Sequence, residues 1–184
     1  DTPEAFALRF EAERAALPPA FDRLLSVDLV KEVEPHEYQV DTALKVLRDL
    51  QGRALLADEV GLGKTIEAGF IIKEMLVRGM ARRALVLAPA SLVTQWQDEM
   101  EAKFDLAFRI AERPEHWSER LVVASIDAAK GARHQAALVK IQHELVIVDE
   151  AHNLKNHRTQ NWKLVNALRK KYLLLLSATP IQND

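Results

Sequence analysis

From position 53 onward, short runs of consecutive apolar residues alternate with longer stretches whose apolar residues recur every three or four positions. The runs cover residues 54–57, 84–88, 121–124, 145–148 and 172–176. Each is rich in Leu or Val and lacks polar alternation, which is the pattern of strands buried on both faces of a parallel sheet. Between them, Leu92, Trp96, Met100 and Phe104 recur every four residues, and Trp162, Val165 and Leu168 every three. These spacings predict helices with one inward face. Strand and helix in alternation mean an α/β fold, doubly wound, with ligands expected beyond the carboxyl ends of the strands. The first part of the chain reads differently. Residues 2–17, rich in Ala, Glu and Arg, predict a helix that Pro18 and Pro19 end. Residues 26–34 are ambiguous, with a strand one reading. Pro35 then opens a helix that carries Val40, Ala43, Leu44 and Leu47 on one face. The expected organisation is an N-terminal extension over 1–34 and an α/β lobe over 35–184, without internal repeats or low-complexity segments.

A chain of 184 residues can bury one good core. The formal net charge of −2 gives no global basic footprint, so a nucleic-acid contact has to come from a local patch. With no cysteine there are no disulfides and no thiolate metal sites. The acidic start lacks the apolar core of a signal peptide, and the aliphatic runs are too short to span a membrane, which makes a cytoplasmic location the default. The absence of an initial Met and the end at Asp184 suggest a piece of a longer protein.

The chemistry concentrates after the apolar runs. Asp58, Glu59, Val60, Gly61, Leu62, Gly63, Lys64 and Thr65 follow the first run and precede a helical stretch over about residues 65–78. A strand, a glycine-bearing loop, Lys-Thr and a helix form the context of a phosphate-binding loop. Its amides wrap an anion, the lysine reaches the outer phosphates, and the threonine hydroxyl can hold Mg²⁺. Asp58 stands where the first glycine of the usual pattern would be. Asp149, Glu150 and His152 follow the run at 145–148, and Ser177 and Thr179 follow the run at 172–176. An aspartate at such a strand end can serve Mg²⁺, and a neighbouring glutamate can orient or deprotonate water. Trp96, Met100 and Phe104 read as core. His36, His116, His134, His143 and His157 read as surface or capping residues. Arg82-Arg83 and Arg169-Lys170-Lys171 read as solvated faces at the far end of the sheet.

Taken in order, the motifs resemble the first RecA-like lobe of superfamily-two, Swi/Snf-type ATPases. The resemblance covers residues 35–184 and rests on Pro35-His36-Glu37-Tyr38-Gln39, the 56–69 segment, Pro89-Ala90-Ser91-Leu92 with Gln95-Trp96, Asp149-Glu150-Ala151-His152, and Ser177-Ala178-Thr179-Pro180-Ile181-Gln182-Asn183. Asp58 and Glu59 belong to the way this family writes its phosphate loop. The wording is closest to the bacterial, RapA-like branch. The resemblance implies a P-loop fold that uses ATP and Mg²⁺. Gln39 would read the adenine, and Lys64 would grip the β and γ phosphates. Thr65 and Asp149 would serve the metal, and Glu150 would activate water. His152, Ser177 and Thr179 would couple nucleotide state to the polymer. Pro89, Ser91 and Ser125 would touch a nucleic-acid backbone, DNA rather than RNA. RNA polymerase or another DNA-bound complex is the implied partner, together with a second RecA-like lobe.

None of the second lobe's motifs occurs in these residues. Three function classes follow. One is a translocating ATPase that remodels protein–nucleic-acid complexes. Another is a lobe of a strand-separating helicase or a restriction or anti-phage motor. The third is a non-catalytic scaffold, against which Lys64, Asp149 and Glu150 argue.

Overall fold

The computed structural model describes residues 22–31, 33–57, 63–154 and 156–178. Six strands form one sheet: β1 (Arg53–Leu56), β2 (Ala84–Ala88), β3 (Arg109–Ile110), β4 (Leu121–Ser125), β5 (Gln142–Val148) and β6 (Arg169–Leu176). Their order is β1-β6-β5-β2-β4-β3, and every pairing is parallel. The helices are α1 (Glu37–Arg48), α2 (Lys64–Val77), α3 (Val93–Phe104), α4 (Ile126–Ala129), α5 (Ala132–Leu138) and α6 (Gln160–Ala167). This is the α/β, RecA-like arrangement expected of the alternating runs. Among the described residues no helix is long and apolar enough to cross a membrane.

The strand side chains sort into two cores by alternation. Ala84, Val86 and Ala88 of β2 face α1, α2 and α3, while Leu85 and Leu87 face the layer that contains Trp117, Leu138, Leu164 and Val165. β5 splits in the same way, with Leu145 and Ile147 on one side and Val146 and Val148 on the other. Burial on both faces explains the uninterrupted apolar runs. α2 lies deepest, with Phe70, Ile71, Ile72 and Met75 all buried. It packs so close to α3 that a β-carbon on Gly69 would meet the Phe104 ring. The rings of Phe70 and Phe104 meet edge-on at 5.4 Å.

Five expectations need correction. The 54–57 run forms an edge strand, not one buried on both faces, and Leu55 is 39 % exposed. The described residues among 26–34 form no strand: Ser26–Leu29 is a turn of 3-10 helix. It is held there because the buried Glu74 carboxylate accepts the amides of Leu25 and Ser26. Trp162 does not share the inward face of Val165. It is 38 % exposed, and Leu168 lies past the end of α6. The solvated-face reading fails for Lys170, whose half-buried ammonium donates to the carbonyls of Val165 and Leu168 and closes the end of α6. The short strand β3 carries no apolar run and was not foreshadowed. Of the histidines expected at the surface or in caps, His143 is buried and His116 turns inward, accepting the amide of Glu112. The helix expected over residues 2–17 lies outside the described residues.

Candidate nucleotide-binding site

Register brings the motifs to one level. Leu56 of β1 pairs with Leu176 of β6, and Leu175 of β6 pairs with Val148 of β5. The segments that leave these three neighbouring strands therefore emerge side by side at their carboxyl ends. The amide of Ser177 donates to the carbonyl of Leu56 at 2.9 Å, and that of Asp149 to the carbonyl of Leu87 at 2.8 Å. Ser177 is buried at the end of β6, the strand between β1 and β5.

Of the predicted loop, Asp58, Glu59, Val60, Gly61 and Leu62 lie outside the described residues. Gly63 closes the loop with φ of +83°, a left-handed conformation natural to glycine. Its carbonyl accepts the amides of Ile66 and Glu67, which starts α2 one residue earlier than the sequence suggested. Lys64 and Thr65 thus occupy the first turn, where the helix dipole favours an anion.

Gln39 meets this loop. It sits in the first turn of α1, 4 % exposed, and its Oε1 accepts the amide of His36 at 3.2 Å. Its Nε2 points at Gly63, so that a β-carbon built there would stand 2.6 Å away. Beside it, the His36 ring stacks on Tyr38 at 5.5 Å.

Across the site, both oxygens of Asp149 are held. Oδ1 accepts the amide of Glu150 at 2.8 Å, and Oδ2 accepts the indole N–H of Trp96 at 2.9 Å. Glu150 has φ of +51°, unusual for a residue with a side chain. Strain of this kind concentrates where a side chain has to be aimed. Asn153 donates to the Glu150 carbonyl from both its amide and its side chain, each at 3.2 Å, which fixes the turn. His152 Nδ1 lies 3.0 Å from Glu150 Oε2 without the alignment of a hydrogen bond.

The loops read as nucleic-acid contacts lie beside each other, since Ala88 pairs with Ser125 where β2 and β4 end. Ser91 is exposed, and Pro89 accepts the amide of Leu92. The Ser125 hydroxyl oxygen caps α4 by accepting the amide of Ala128 at 3.0 Å. Thr179 lies outside the described residues.

Trp96 is the residue that sequence reading missed. It is core, 2 % exposed, yet it also bonds the Asp149 carboxylate. Its spacing gave only the buried face, because a contact between positions 96 and 149 has no local signature.

The donor chemistry fits Mg²⁺. Among the described residues no cluster of three or more His, Cys, Asp or Glu could hold a metal by itself. Magnesium is held through one or two hard oxygens plus waters and phosphate, and the Thr65 hydroxyl and Asp149 carboxylate are such donors.

A family model described as the SNF2-related domain matches residues 38–184. The chain is 44 % identical over 181 residues to an uncharacterized ATP-dependent helicase, YqhH, of Bacillus subtilis (strain 168), covering 98 % of this chain and 32 % of that one. It is 37 % identical over 205 residues to the RNA polymerase-associated protein RapA of Actinobacillus succinogenes, covering 99 % and 21 %. The chain therefore spans a third or less of these relatives' length. The solved SWI2/SNF2 ATPase core of Sulfolobus solfataricus, in complex with dsDNA, superposes with a TM-score of 0.77 at 24 % identity. The match takes in 88 % of this chain and 35 % of that one, and it carries the fold. By motif order, strand-end placement and the family match together, this chain belongs to the SNF2-related family, as the first RecA-like lobe of a Swi/Snf-type ATPase.

Proposed function

We propose that this chain is the ATP-binding lobe of a nucleic-acid-dependent ATPase that moves along DNA and remodels the protein complexes bound there. One observation carries the reading: the phosphate loop, Ser177 and the Asp149-Glu150 turn leave three adjacent strands at the same level, with Gln39 against the loop. In this reading the loop from Asp58 to Thr65 and the start of α2 bind phosphates through amides and Lys64, while Gln39 reads the adenine. Thr65 and Asp149 hold Mg²⁺. When bound, that ion neutralises charge developing on the phosphates. Glu150, aimed by its left-handed backbone, takes the proton of the attacking water. His152, Ser177 and Thr179 pass the nucleotide state on, and Pro89, Ser91 and Ser125 meet the DNA backbone through amides and hydroxyls.

The arginines that complete such a site come, on this reading, from a second RecA-like lobe in the longer protein. An arginine finger is worth about 10³–10⁵ in rate, or roughly 4–7 kcal/mol of barrier. The 184-residue chain alone is therefore expected to bind ATP weakly and to turn it over scarcely at all. Support for DNA comes from the dsDNA-bound Sulfolobus core, and for a polymerase partner from the name of the RapA relatives. The domain division at 34/35 belongs to the same proposal.

The test is titration of labelled ATP with Mg²⁺ against wild type and Lys64→Ala, with circular dichroism as the fold control. The variant is expected to lose at least about tenfold in affinity, the worth of one charge-assisted contact. Unchanged affinity removes the phosphate-loop assignment. On the full-length protein, hydrolysis stimulated by duplex without strand displacement supports translocation, whereas unwinding supports the helicase that YqhH's name suggests.

A further inference from the structure

Trp96 joins two parts of the molecule. It lies one turn into α3, and α3 is entered directly from the Pro89–Leu92 loop through the 3-10 turn Ala90–Leu92. Its indole is buried, so the ring cannot swing without disturbing Val93, Met100 and Phe104 on the same face. The one polar atom of that ring donates to Asp149 Oδ2 at 2.9 Å. The opposite oxygen accepts only the next residue's own amide, so Trp96 is the side chain, among the described residues, that orients this carboxylate from outside its own turn. A hydrogen bond of this kind is lost over a shift of well under about 1 Å. The position of α3 is therefore written into the direction of the carboxylate.

We propose that Trp96 is a positioning residue for the metal-binding carboxylate, and that through it α3 transmits loading of the Pro89–Ser91 loop to the Mg²⁺ site. The inference rests on the reading of Asp149 as a metal ligand. Removing the N–H leaves Asp149 free to rotate and weakens its hold on Mg²⁺. The N–H that is removed bonds neither β1 nor α2, the elements that flank the phosphate loop. The effect is thus confined to the Mg²⁺ dependence of nucleotide binding, which a merely structural loss of core would not single out.

The experiment uses the full-length protein and a fluorescent ATP analogue, with binding followed across a Mg²⁺ titration and again in excess EDTA. Trp96→Phe is expected to raise the half-saturating Mg²⁺ about tenfold, the effect of losing one bond to a charged group, with EDTA affinity within about twofold of wild type. In wild type, duplex DNA should shift the Mg²⁺ midpoint, and the variant should lose that shift. If Trp96→Phe fails to fold, 3-benzothienylalanine at position 96 keeps the ring shape without the N–H. A folded variant with the wild-type Mg²⁺ midpoint, or one weakened equally with and without Mg²⁺, overturns the proposal. A retained DNA-induced shift overturns its coupling half. A wild type whose binding ignores Mg²⁺ removes the metal reading itself, and the proposal with it. Loss of binding in Lys64→Ala under both conditions tells that failure apart from failure of the nucleotide site.

Discussion

The side-chain amide of Gln39 occupies the space that a β-carbon on Gly63 would need, 2.6 Å from its Nε2. Position 63 is therefore constrained twice, by that contact and by its φ of +83°. Ala in a left-handed conformation costs roughly 1–2 kcal/mol before any clash. Gly63→Ala should weaken ATP binding more than tenfold and lower stability by more than that amount, since the clash adds to the backbone cost, read by titration and urea unfolding. In a Gln39→Ala background the stability loss should shrink to the backbone part alone. Equal losses in both backgrounds would show that Gln39 does not restrain the loop.

Glu150 holds the left-handed turn after β5. In the full-length protein Glu150→Gln keeps the backbone geometry and removes the proton acceptor. We expect ATP to bind at near wild-type affinity while steady-state hydrolysis falls by about 10²-fold or more. Wild-type turnover would take Glu150 out of the mechanism.

Glu74 is a buried carboxylate with three partners. Burial pushes its pKa up, but the Arg78 guanidinium and the amides of Ser26 and Leu25 outweigh this and hold it below the usual carboxylate range. A carboxyl depressed on folding contributes stability above its unfolded pKa, and that contribution is lost as pH falls through the folded value. Stability should therefore drop on acidification below about pH 4.5, and Glu74→Gln should flatten that part of the curve while lowering stability at neutral pH. The same variant should release the 22–31 segment to proteases, since its backbone is anchored there. An unchanged acid limb would exclude Glu74 as its source.

His143 gives a second pH signal. Its ring is buried, with Nε2–H donating to the carbonyl of Trp117 at 3.2 Å, and burial pushes its pKa from 6.5 down to about 4. The unfolded chain takes up this proton first, so the stabilisation is full above pH 6.5 and is lost as pH falls toward 4. That difference corresponds to about 3 kcal/mol across the window. Equilibrium unfolding from pH 7.5 to 4.5 should show the slope in wild type and a reduced one in His143→Gln. A slope that persists in the variant would assign it to other groups.

Much of the fold was legible because burial on both faces leaves an uninterrupted apolar run. Five of the six strands announced themselves by such a run, the edge strand β1 among them although it is not buried on both faces. β3 did not, because two residues at an edge need no apolar run. His143 and Trp162 were misread for two different reasons: a histidine can be buried neutral, and an every-third-residue spacing drifts off the face of a helix. At the site, Lys64, Asp149 and Glu150 stood out as candidates because phosphate and metal chemistry leave few residue types to choose from.

The amino-acid sequence by itself determined most of the succession of strands and helices along the chain, the chemical groups at the strand ends and the family they point to. These follow from local spacing and from the narrow chemistry of phosphate binding. Only the tertiary structure decided that Gln39 closes on Gly63, that Trp96 bonds Asp149 and that Glu74 anchors the 22–31 segment. Each is a contact between residues distant along the chain. The Trp96–Asp149 bond, for one, exists because the parallel sheet sets β2 beside β5, and no local pattern encodes which strands become neighbours.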